Sequence, residues 1–120
     1  MARKTDPVPL SDVIKGSAIP ARILDLSKVE QGQAWDVSQA DLISVQPTLD
    51  GAAGTAVIEL QESIDNAKYE AMADAISLTV MTKAINVADV ASVRIVVKTK
   101  DEATPAGKVQ VSAYIYRKTP

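Results

Sequence analysis

The side chains able to do chemistry in this sequence are carboxylates, lysines and tyrosines, because it contains no His and no Cys. Without cysteine there is no thiolate nucleophile, no disulfide, no zinc finger and no iron–sulfur cluster. Without histidine there is no Ser-His-Asp triad, no imidazole base working near neutral pH and no His-ligated metal. The 15 acidic residues are the first candidates that remain. Glu59 and Glu62 are spaced so that a strand points them to opposite faces, not at one bond. Asp101 and Glu102 are neighbours in a polar stretch. Neither arrangement sets two carboxyl groups across a cleft, as glycoside hydrolysis requires. Asp50, Asp65, Asn66 and Asp89 stand in turns whose oxygens suit calcium, but without the spacing of an EF-hand. Asp and Asn also serve turns for backbone reasons alone. No catalytic residue, metal site or cofactor is expected.

Gly51 and Gly54 do not form a phosphate cradle, since no Gly-Lys-Ser/Thr follows them. Lys98, Lys100 and Lys108 read as a small basic cluster that discourages strand-to-strand aggregation. Tyr114 and Tyr116 are more informative. If Val111, Ala113 and Ile115 face a core, both tyrosines stand on the outer face of the last strand, with Val96 on the outer face of its expected neighbour. Aromatic and apolar side chains on the wet side of a sheet suit a contact surface. The alternatives are a cross-strand pair that stabilises a hairpin, or burial under the N-terminal segment. Trp35 reads as core or edge filler.

The elements that would position these residues are strands. The chain has 120 residues, enough for one domain with a core of its own. Its 47% apolar content is well above that of a disordered chain. Residues 1–16 read as an extended N-terminal arm, because Pro7 and Pro9 remove donors and push their predecessors toward β or polyproline II geometry. Val8 and Leu10 are its apolar anchors. Residues 17–120 read as a single antiparallel β-sandwich of about 7–9 short strands. The expected strands are 17–26, limited by Pro20 to an edge or a bulge, then 34–38, 41–49, 55–63, 84–87, 92–100 and 108–117. The last two read as hairpin partners.

Residues 68–81 carry two patterns. Tyr69, Met72, Ala73 and Ile76 fit a helix period, whereas 68–72 and 75–81 fit two short strands, with Ile76, Leu78 and Val80 inward. The β flanks favour strands. With no Phe and many Ala, the core must be built of Val, Ile, Leu and small residues.

The net charge of -2 and pI near 5.0 argue against nucleic acid as a partner, which requires a basic face. No apolar run approaches the ~20 residues that span a bilayer, so no membrane is expected. The N-terminal MARKTDPVPLSD lacks the apolar run of a secretory signal, which makes the cytoplasm the expected site of synthesis.

The stretch from Trp35 to Arg117 resembles a β-sandwich of tailed-bacteriophage virion structural proteins, including capsid decoration (cement) proteins. The matching segments are Asp36-Val37-Ser38, Gly54-Thr55-Ala56-Val57, Ser63-Ile64-Asp65 followed by the aromatic Tyr69, Val93 to Val97, and Gly107 to Val111. Asn66 stands where the pattern has glycine, and asparagine can supply the same left-handed turn. The resemblance implies a non-enzymatic protein on the capsid surface of a virion. Its partner would be the major capsid protein, bridged across neighbouring subunits, and it would form a homo-oligomer, commonly a trimer. A tail, neck or fibre-associated virion protein and a host-glycan-binding module are the alternatives.

Overall fold

The computed structural model describes residues 14–52, 54–100 and 107–118. Val8 and Leu10, the rest of the expected arm up to residue 13, and the Asp101–Glu102 pair lie outside the described residues. Nine strands appear: β1 (Ile14–Asp25), β2 (Glu30–Gln31), β3 (Trp35–Asp36), β4 (Leu42–Asp50), β5 (Val57–Ser63), β6 (Glu70–Ala71), β7 (Thr82–Asn86), β8 (Ser92–Thr99) and β9 (Lys108–Lys118). There is no helix among the described residues, hence none long and apolar enough to cross a membrane.

The strands form two antiparallel sheets. Sheet A has the order β1-β9-β4-β7. Sheet B has the order β2-β8-β5-β6, with β3 also pairing with β8. β2 and β3 take different stretches of the same β8 edge, Val96–Val97 and Ser92–Val93 respectively. The inner residues of both sheets bury one core, as the alternation requires: Ile43, Val45, Val109 and Val111 from sheet A meet Ile58, Leu60, Val93 and Ile95 from sheet B. Trp35 joins this otherwise aliphatic core at 2% exposure.

Both sheet prolines sit where a missing donor does no harm. Pro20 lies in the edge strand β1, at a register shift between Ile19 and Arg22. Pro47 lies in β4 beyond the stretch Leu42–Val45 that β7 covers, where β4 is an edge.

Two expectations are corrected. β8 and β9 are not hairpin partners: β9 lies between β1 and β4 in sheet A, and β8 pairs with β5 in sheet B. Within these ladders β5–β6 is the pairing between strands adjacent in sequence; β2 and β3 follow one another along β8 in sheet B, and the other connections cross between sheets. Residues 75–81 are not a strand. The Ser77 hydroxyl accepts hydrogen bonds from the Thr79 and Val80 amides at 3.0 and 3.2 Å. That side-chain turn takes the donors a ladder would need. Ile76 and Leu78 still pack on the core, while Val80 is 62% exposed. Of the two readings for 68–76, the strand holds in part, as the two-residue β6.

Asn66 adopts φ 63°, the left-handed turn expected of it. Ala84 also has a positive φ, 57°, inside β7. The β4–β7 register shifts there, and the Ala84 amide donates to Ser44 Oγ at 2.9 Å. The bulge is thus held by a side chain while its own residue is strained. Ala84→Gly removes a left-handed penalty of ~1–2 kcal/mol and adds back about 0.5–1 kcal/mol of backbone entropy. A net stabilisation of about 0.5 kcal/mol follows, to be read as a higher urea midpoint at constant m.

Candidate interaction surface

The two outer faces of the sandwich differ in chemistry. On sheet B, Arg94 is the centre of a satisfied polar network. Its guanidinium lies 4.1 Å from the Tyr69 ring centroid. Its Nε donates to Gln61 Oε1 at 2.8 Å and its Nη1 to Gln31 Oε1 at 3.2 Å. Gln61 donates onward to Glu59 at 2.8 Å, and Glu59 pairs with Lys98 at 3.7 Å. The Tyr69 hydroxyl bonds the buried Ser92 hydroxyl at 2.8 Å. Strand register alone sets these neighbours: Gln61 faces Arg94, and Glu59 faces Val96. Apart from the Glu59–Gln61 contact along one strand, this network is not visible in sequence, because its other members come from segments far apart in the chain.

Sheet A carries the tyrosines. Alternation in β9 buries Val109, Val111 and Ala113 and turns Tyr114 and Tyr116 outward. Their ring centroids are 6.1 Å apart and tilted by 38°, within the range of attractive aromatic pairs. Register sets Gly16 beside Tyr116 and Ala18 beside Tyr114 on one flank, and Leu42 and Ser44 on the other. A Cβ added at Gly16 would meet Tyr116 Cε2 at 3.1 Å, so the ring rests on bare backbone. On the β4 side the rings border a groove of about 220 Å³, whose walls include Ser44, Gln46, Met81, Lys83 and Ser112. Tyr114 is 48% exposed and Met81 49%.

Of the five residues singled out in sequence, the structure brings together Tyr114 and Tyr116. Val96 does not join them. It is on the outer face of β8 as expected, but β8 belongs to the other sheet, and Val96 is only 6% exposed between Glu59 and Gln31. Lys98 and Lys108 are likewise on different sheets, and Lys98 is engaged by Glu59. Sequence reasoning missed Gly16, Ser44 and Met81; only the cross-strand register within sheet A reveals Gly16 and Ser44, and only the groove reveals Met81, as neighbours of the tyrosines.

The carboxylates in turns work on the backbone. Asp65 accepts from the Ala67 and Lys68 amides at 2.9 and 3.0 Å and from the Ser63 hydroxyl at 2.9 Å. The Lys68 and Ala67 amides hold its carboxyl below the ordinary value. The Ser27 hydroxyl does the same for Asp25, and the Ser38 hydroxyl for Asp36. Among the described residues no three His, Cys, Asp or Glu side chains gather to hold a metal.

A folded carboxyl pKa below the unfolded one stabilises above the unfolded value, near pH ~4, and the gain is lost as pH falls through the folded value. Asp65→Asn keeps an acceptor but no longer titrates. Its stability, followed by circular dichroism in urea, will fall less between pH 5 and the acid limit than that of the natural chain. An unchanged acid limb would remove Asp65 from the acid response.

Fold and faces together define an all-β antiparallel sandwich with one polar, satisfied outer face and one aromatic outer face. The fold is similar to that in the crystal structure of the SPBc2 prophage-derived protein YomS, with TM-score 0.61 and 12% identity over 87% of this chain and 95% of that one. No protein-family model matches the chain, and no curated protein does.

Proposed function

We propose that this chain is a non-enzymatic structural protein of a tailed-bacteriophage virion. Within the virion we assign it to the capsid surface, as a decoration protein that stabilises the head by bridging neighbouring subunits of the major capsid protein. The observation that carries the reading is the contrast between the outer faces. Sheet B's outward polar groups bond to one another, whereas Tyr114, Tyr116 and Met81 stand out on sheet A around a groove. Exposed aromatics and methionine are the side chains that protein interfaces favour. The likeness in fold to a prophage-derived protein supports the phage context, and the sequence resemblance supports the capsid. Such a protein acts by multivalent burial: an oligomer, a trimer by the resemblance, spans a joint so that opening the joint costs every contact at once.

The test uses heads of the encoding phage that lack decoration. The purified chain is expected to co-sediment with them and to raise the temperature at which they burst. The double substitution Tyr114→Ser, Tyr116→Ser is expected to abolish both effects. Binding to tails or to host glycans, with none to heads, would overturn the capsid assignment.

A further inference from the structure

We propose that the tyrosine groove of sheet A receives the Pro7-Val8-Pro9-Leu10 segment of a second copy of this chain. The proposal rests on the reading above for the virion context and goes beyond it: the docked segment would build the oligomer that meets the capsid. Aromatic-lined grooves take proline-containing segments, because such segments are already extended and lose little entropy on docking. The sequence supplies that chemistry: two prolines alternate with Val8 and Leu10, and Asp6 precedes them, opposite in charge to Lys83 in the groove.

The position of the segment fits. Ile14 pairs with Lys118, the last residue of β9, so β1 leaves the sheet at its tyrosine end. Four residues of chain span at most about 14 Å. This chain's own groove lies across β9 from β1, on the β4 side. Exchange of this kind around a ring also closes a small oligomer.

Because the natural chain has no Cys, the engineered thiols are the only ones that can pair. Full-length chains carrying Leu10→Cys are mixed with chains carrying Gln46→Cys under mild oxidation. A disulfide-linked heterodimer is expected at least tenfold above the yield with Lys98→Cys, which lies on the polar face. Tyr114→Ser with Tyr116→Ser in the Gln46→Cys chain should lower the yield at least fivefold. Equal yields at both positions would overturn the proposal. So would a chain carrying both Leu10→Cys and Gln46→Cys that closes only on itself at every concentration. Head binding, measured on the same preparations, separates the two readings. Binding without cross-linking overturns the copy-to-copy contact alone, and cross-linking without binding overturns the capsid role alone.

Discussion

Trp35→Ala will destabilise the fold by about 4 kcal/mol, the cost of emptying a large buried aromatic site. Trp35 belongs to the two-residue strand β3, whose ladder with β8 is too short to hold the sheet edge by itself. What holds it is the indole. The ring is 2% exposed, and its Nε1–H donates to the Pro20 carbonyl at 2.7 Å. Pro20 lies at the irregularity of β1, in the opposite sheet. Arg22 completes the clasp. Its guanidinium lies 5.3 Å from the ring centroid, and its Nε donates to the Gln33 carbonyl at 2.7 Å. One side chain thus ties the β3 edge of sheet B to the β1 edge of sheet A.

Trp35→Phe separates the two contributions. It keeps most of the apolar volume and loses the hydrogen bond, for a cost of about 1–2 kcal/mol. Urea unfolding followed by circular dichroism suits both variants, because the only tryptophan fluorophore is the residue replaced. Out of a total stability of ~5–15 kcal/mol, the alanine variant would keep little margin. A shift in Cm worth less than about 1 kcal/mol would show that the clasp is not needed.

Strands with one wet face were legible, since β4, β5, β8 and β9 alternate as written and differ from the reading by at most two residues at either end. Alternation is a local property, so the outward aim of Tyr114 and Tyr116 was legible with it. Pairing is not local. Adjacency made a β8–β9 hairpin the natural expectation, but the chain crosses to the other sheet between them. Val96 shows the consequence: its outer face is readable, whereas its burial depends on Glu59 and Gln31, which only register places beside it. β2 escaped notice because two residues carry no period. The stretch 75–81 was over-read for the opposite reason: its apolar alternation is real and partly buries Ile76 and Leu78, but Ser77 bonds the backbone first.

Gly107→Ala is the second large effect, expected to cost about 3 kcal/mol, at the upper end of overpacking penalties. Gly107 immediately precedes β9 and is buried. A Cβ there would lie 2.6 Å from the carbonyl oxygens of both Asp50 and Ala52 and 2.9 Å from the Ala52 nitrogen. All three are backbone atoms, so no rotamer change can relieve the clash. Gly51, at φ 94°, packs from the other side: its own added Cβ would meet Gly107 Cα at 3.0 Å. Gly107 is also pinned by its hydrogen bonds. Its amide donates to Ala52 O at 3.0 Å, and its carbonyl accepts from the Leu26 amide at 3.1 Å. Strands β4, β9 and β1 therefore meet at this residue, one step before the Asp50–Lys108 and Asp25–Lys108 pairs from which both β9 ladders run.

That position links stability to the aromatic face. A one-residue slip of β9 would carry Tyr114 and Tyr116 from the outer face to the inner one, and the close packing at Gly107 opposes the slip at its origin. A domain of this size loses roughly 4 °C of Tm per kcal/mol, so the variant should melt about 12 °C lower. If it instead slips register, the outward face loses its rings, and tyrosine iodination or solvent-perturbation difference spectra will show reduced access at 114 and 116. A variant that melts within about 2 °C of the natural chain, with both tyrosines still reactive, would mean that the backbone at this junction moves aside and does not set the register.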